Sequence, residues 1–140
     1  MDRVQIFLPA LAQITLTLII FVAYTLVKMK ALKGGQVDES KRALYADAWP
    51  DYVVKFSNNI ANQFETPVLF YALCFMLWAL NAVGAVAVVV AWGYVVTRIV
   101  HAYIHTGSNY VPHRKKVFML GCACLFILTA QCFIAVFQSI

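Results

Sequence analysis

Residues 85–105, AVAVVVAWGYVVTRIVHAYIH, are apolar for most of their length and turn polar only at the C-terminal end. A helix of about 20 such residues is ~30 Å long, which matches the hydrocarbon core of a bilayer. Three further runs have the same form, at residues 6–28, 56–80 and 117–137. Inside lipid every backbone amide must find its partner within its own segment, so each run is read as a helix. The expectation is an all-α membrane protein, a bundle of four transmembrane helices forming one domain over residues 1–140. The first run is too long for a signal-peptide core and lacks a cleavage site, so it is expected to remain as a span.

Composition leads to the same place. Of 140 residues 63% are hydrophobic and only 12% are charged, and the mean hydropathy is +0.78. A soluble domain carries about 25% charged residues. So few charges cannot coat a soluble surface, and the bilayer must solvate most of this one. The net charge of +5 would suit nucleic acid. The basic residues gather at the span ends instead, so they are assigned to membrane orientation and no nucleic-acid partner is expected. Cys74, Cys122, Cys124 and Cys132 lie in apolar runs and are read as small hydrophobes, with neither a disulfide framework nor a metal site expected of them.

The connections are unequal. Residues 29–55 form one long loop with Gly34-Gly35 and Pro50 as breakers, residues 81–84 a tight turn, and residues 107–113 a short polar link. Lys28, Lys30, Lys33, Lys41, Arg42 and Lys55 lie in or beside the long loop, and Arg114-Lys115-Lys116 follow the short link. The opposite side offers only Arg3. The positive-inside rule places both basic loops in the cytoplasm and both termini outside.

Polar side chains within spans are costly and are by default candidates for function. On the second span Asn58, Asn62 and Glu65 recur at helical spacing. On the third, Tyr94, Arg98, His101 and His105 do the same, and on the first Gln13, Thr17, Tyr24 and Lys28 make a weaker stripe. With alternating span directions, Asn58–Glu65, Arg98–His105, Lys28 and Arg114 all fall in one leaflet. That convergence predicts a shared polar site. Plainer roles remain open for each residue: a Glu65–Arg98 ion pair, amides that bond helix to helix, Lys28 and Arg114–Lys116 as interface anchors, and Pro67 as a kink. Trp78 and Trp92 suit a membrane aromatic belt. His101, His105 and Glu65 could in principle bind a metal, but no HExxH pattern and no third soft ligand are present, so none is assigned.

Two motifs carry a resemblance. Asn62-Gln63-Phe64-Glu65-Thr66-Pro67 has the form Asn-x-x-Glu-x-Pro before an apolar helix, and Arg98-x-x-His101 is followed by His105 and Arg114 around the third connection. Together with four spans and a long first loop, the chain resembles the MAPEG family (membrane-associated proteins in eicosanoid and glutathione metabolism), in a short bacterial-type form. The resemblance implies a homotrimer in a bacterial inner membrane, with glutathione as cosubstrate bound between subunits near the cytoplasmic leaflet. It implies glutathione-binding roles for Asn62, Glu65, His101, His105 and Lys28, and catalytic roles for Arg114 and, second, Arg98. The prostaglandin-type members carry Arg immediately before the motif Asn, where this chain has Ala61, and Tyr four residues after the third-span His, where it has His105.

The chemistry of those residue types agrees. Arg grips carboxylates bidentately, Glu65 suits an ammonium, and an Arg beside a thiol favours the thiolate. The leading expectation is a glutathione-dependent transferase or peroxidase acting on lipophilic electrophiles. A non-catalytic lipid-binding or scaffold member of the same fold is the alternative that Ala61 and His105 favour. A small proton-coupled transporter with Glu65 as its carboxylate is the third, although exporters of that kind place the Glu in their first helix.

Overall fold

The computed structural model describes residues 2–140. A 3-10 turn at Arg3–Ile6, capped by the Asp2 carboxylate, leads into α1 at Phe7–Lys33. The remaining helices are α2 at Asp51–Gln63, α3 at Thr66–Ala79, α4 at Ala85–Thr106 and α5 at Val111–Ser139. Taken with α2 and α3 as one segment, four helical stretches are long and apolar enough to cross a membrane. The four-span bundle expected from hydropathy is what forms.

The helices overrun the apolar stretches: α1 continues to Lys33 and α2 already starts at Asp51, so the long connection is shorter than 29–55 at both ends. Helix α5 starts at Val111, ahead of its apolar stretch, so Arg114, Lys115 and Lys116 stand within the helix. Pro112 makes this possible: in a first turn its missing N–H has no partner to lose. The second span is not merely kinked but broken. Phe64 caps α2, Glu65 leaves helical geometry with φ −93° and ψ −101°, and Pro67 restarts the helix as α3. Pro67 has no N–H for the Gln63 carbonyl four residues back and its ring clashes with that carbonyl, which accounts for the interruption.

Away from the polar stripe of α4 and the side chains that meet it, the bundle is apolar inside and out. Phe70, Leu77, Ala87, Ala91 and Leu128 are fully buried, and the Tyr94 ring stacks on Phe70 with centroids 4.4 Å apart. Leu8, Leu18, Val22, Phe126 and Phe137 are exposed on the outside. In water such a surface would aggregate. In a bilayer it is the surface that lipid or a neighbouring subunit covers. At the end carrying the termini, the Arg3 guanidinium donates to the Asn81 side chain and lies 5.3 Å over the Trp78 ring. That end's one basic residue is thereby tied down.

Helices α4 and α5 approach most closely, and Gly121 is the reason. A Cβ placed there would stand 2.9 Å from Thr97 Oγ1, which is itself held by donating to the Tyr94 carbonyl at 2.6 Å. Small residues let membrane helices touch backbone to backbone, where packing rather than hydrophobicity drives association. Gly121→Ala is expected to cost ~1–3 kcal/mol through overpacking. Thr97→Ala in the same chain should recover most of that loss, and unfolding of the four variants in mixed micelles measures the coupling. Equal stability of the single variant and the parent would contradict the contact.

Candidate functional site

The polar stripe of α4 is buried as its spacing implies. Tyr94, Arg98, His101 and His105 are each under 5% exposed, and they descend toward the end of the bundle that carries the basic loops. Helix α2 meets this stripe with a different face from the one expected. Asn58 is exposed, Asn62 half-buried and Glu65 exposed, whereas Asn59 and Gln63 are wholly buried. Asn59–Gln63 and Asn58–Asn62 have the same i, i+4 spacing, so periodicity does not choose between them. Burial beyond the break, at Pro67 and Phe70, belongs to a separate helix and gives no sequence signal for that choice.

Asn59 and Gln63 join a hydrogen-bonded chain that ties α1 to α4 and leaves Gln13 Oε1 without a partner. Gln13 Nε2 donates to Gln63 Oε1 at 3.0 Å, and Gln63 Nε2 donates to Asn59 Oδ1 at 2.9 Å. Thr17 Oγ1 lies 3.1 Å from the Gln13 carbonyl and 3.4 Å from Gln63 Oε1. Asn59 Nδ2 meets His105 Nδ1 at 3.3 Å. With the Asn59 NH2 as donor, His105 Nδ1 is the acceptor of this contact. His105 thus faces the interior network, with its ring edge against His101 at 5.5 Å.

The other side of the same stripe opens to the surface. A cleft of about 290 Å³ is lined by Asn62, Glu65, His101, Arg114, Lys115 and Phe118. Asn62 and Glu65 come from the break in the second span, His101 from the last turns of α4, and Arg114 from the first turn of α5. Asn109, in left-handed backbone at φ 54°, accepts a 2.6 Å hydrogen bond from Arg114 Nη1 and steadies that side chain. Lys55 Nζ donates to the Gly107 carbonyl and fastens the connection before it to α2. The volume is near the lower bound of ~300–1,000 Å³ for small-molecule sites.

Arg98 stands behind this cleft. Its Nη2 donates to the Asn62 carbonyl at 3.0 Å, while Nε and Nη1 are buried without a protein partner. His101 Nδ1 is likewise buried and unpartnered. No Glu65–Arg98 ion pair forms; the two ion pairs among the described residues are Lys41–Asp38 and Arg42–Glu39. Asn62 Nδ2 turns back to the Asn58 carbonyl at 2.9 Å, leaving Oδ1 without an intramolecular partner. The structure therefore brings together Asn62, Glu65, His101 and Arg114, sets Arg98 one layer behind them, and turns His105 inward. Lys28 is elsewhere in this chain, under the long loop with its ammonium 4.4 Å from the Trp49 ring centroid. No cluster of three or more His, Cys, Asp or Glu suited to a metal occurs among the described residues.

Residues 6–134 match the MAPEG family. The chain belongs to that family. No individual curated protein and no solved structure matches it. Membership accounts for the all-helical, four-span bundle, since MAPEG proteins are generally trimeric membrane proteins. It also supports a glutathione-related role in general, because the family generally uses glutathione as cosubstrate. The donor set of this MAPEG chain fits such a ligand: cations for two carboxylates, a carboxylate for an ammonium, and buried N–H groups of Arg98 that lack an acceptor.

Proposed function

We propose that this protein is a glutathione-dependent transferase or peroxidase acting on lipophilic electrophiles, with the cleft between the second-span break and the start of α5 as its active site. The observation that carries this reading is the convergence of Asn62, Glu65, His101 and Arg114 on one opening with the uncompensated Arg98 guanidinium behind it. A buried cation without a counter-ion is expensive in a membrane, and an anionic ligand is its natural complement.

Glutathione supplies a thiol whose ordinary pKa, near ~8.5, leaves it mostly protonated at neutral pH. Arg114 is assigned to hold the sulfur as thiolate, and Glu65 to bind the ligand's ammonium. Asn62 offers Oδ1 as an acceptor and is steadied by Arg98 through its carbonyl. His101, at the cleft floor, is assigned to binding, and His105 to supporting His101 from within. The electrophile is assigned to arrive from the lipid past Phe118, the one aromatic side chain lining the cleft besides His101. The cleft in one chain is small for a tripeptide together with a second substrate, which supports a homotrimer in which a neighbouring subunit completes it. The basic end is assigned to the cytoplasmic face of a bacterial inner membrane and both termini to the other side. Glu65 sits at an exposed rim instead of deep in the bundle, which disfavours the transporter reading.

The direct test is binding. Glutathione at 100 times its dissociation constant should raise the unfolding free energy of the detergent-purified protein by ~2.7 kcal/mol, visible as a saturable thermal shift. S-methylglutathione should shift it too but should show no thiolate absorbance. Absence of any shift at millimolar glutathione would leave the non-catalytic reading in its place.

A further inference from the structure

A second polar recess lies at the same end of the bundle, under the roof made by the long α1–α2 connection. It encloses about 320 Å³ and is lined in part by Tyr24 and Lys28 of α1, Arg42, Tyr45 and Trp49 of the connection, and Ser57 of α2. No acidic side chain lines it. The roof is fixed in place: Gln36 N–H donates to the Ala31 carbonyl, Asp38 N–H to the Ala48 carbonyl, and Trp49 Nε1 to the Arg42 carbonyl. The recess is therefore formed before any ligand arrives.

Its cation is unusual. Lys28 Nζ lies over two aromatic faces, 5.2 Å from Tyr24 and 4.4 Å from Trp49. The rings orient the ammonium but accept none of its three N–H groups in conventional hydrogen bonds. Neither ion pair among the described residues involves it. Arg42 is gripped at two points by Glu39, Nε to Oε2 at 2.9 Å and Nη1 to Oε1 at 3.3 Å, but the pair is half-exposed, so a phosphate competes with that carboxylate for the guanidinium. Two cations, a serine and a tyrosine hydroxyl around a preformed recess make a receptor for a phosphate group.

Depth identifies where the phosphate comes from. Lys28 is ~32 Å along the unbroken helix α1 from Phe7, at 1.5 Å per residue. That length just exceeds the ~30 Å hydrocarbon core, so the recess opens at headgroup level. At its rim Leu44 is 84% exposed and Tyr45 59% exposed, without protein to cover them. Side chains of that kind at an interface enter the acyl boundary.

We infer that the recess beneath the α1–α2 connection binds the headgroup phosphate of one anionic phospholipid, held by Lys28 and Arg42. This assigns Lys28 to a different anion from the one the family resemblance implies. Basic pockets between spans recognise anionic headgroups in this way, at about 1 kcal/mol for each Lys or Arg near the surface.

The full chain, purified in detergent, is tested by native mass spectrometry with phosphatidylglycerol, phosphatidylcholine and inorganic phosphate offered separately. Phosphatidylglycerol should be retained about thirtyfold better than phosphatidylcholine, and Lys28→Met should reduce that preference about fivefold. Lys28→Arg should keep it. If Lys28→Met does not fold, Arg42→Gln carries the same comparison. Equal retention of the two lipids, or a preference unchanged in Lys28→Met, overturns the inference. So does displacement of phosphatidylglycerol by millimolar inorganic phosphate, which would mark a site for soluble anions.

Discussion

Arg114→Ala is expected to lower glutathione-conjugating or peroxidase turnover by ~10²–10³-fold, the usual loss when one preorganised donor to a developing or fixed anion is removed. The loss should appear mainly in kcat. The carboxylates and ammonium of the ligand still have Lys115, Glu65 and Asn62 to meet them, so glutathione should still produce a thermal shift. What should vanish is the ultraviolet absorbance of bound thiolate. Arg114 is braced by Asn109 and not by a carboxylate, so its full charge is available to the sulfur. Arg114→Lys should restore part of the absorbance, because the charge returns without the planar fork. Folding should hardly change, since the side chain is only half-buried and no ion pair depends on it. Turnover that survives Arg114→Ala but falls in Arg98→Ala would transfer the thiolate role to the deeper guanidinium.

The parts of this picture that were legible in the chain share a physical cause. Bilayer thickness sets a length that no soluble helix must obey, so the four spans stand out from hydropathy alone. Tyr94, Arg98, His101 and His105 were legible as one buried face because they sit in an otherwise apolar helix, where every polar residue is conspicuous. The second span was harder. The sequence at its basic-loop end, SNNIANQFE, is polar on two adjacent stripes, and a shift of one residue exchanges Asn58–Asn62 for Asn59–Gln63 without altering the period. The chain also stops being one helix at Phe64–Glu65, so a stripe counted across Pro67 mixes two helical frames. Lys28 illustrates a different limit. Its partners Tyr24 and Trp49 are joined only when the loop folds back, and such loop contacts leave no periodic trace.

The buried amide network supports the second large effect. Gln63→Leu preserves size and removes the two bonds at the centre of the Gln13–Gln63–Asn59 chain. It leaves the Gln13 amide and the Asn59 carbonyl oxygen stranded where water cannot reach them. A stranded polar group costs ~1–3 kcal/mol in a protein interior. Interhelical hydrogen bonds in membranes average nearer ~0.6 kcal/mol, because the unfolded chain in lipid also finds partners. A loss of ~2–3 kcal/mol is expected for the single variant, read from unfolding in mixed micelles. The double variant Gln13→Leu/Gln63→Leu should be more stable than Gln63→Leu alone, since the Gln13 amide is removed along with its partner. That non-monotonic order separates a network that holds α1 and α2 together from two amides that merely fill space. If the double variant is the weaker of the two, or if Gln63→Leu unfolds like the parent, packing of apolar side chains holds these helices and the network contributes nothing. Should the order hold, His105 loses its Asn59 anchor only in variants at position 59. Asn59→Leu is then the variant in which His105 becomes free to reorient while the α1–α2 contact keeps its Gln13–Gln63 bond.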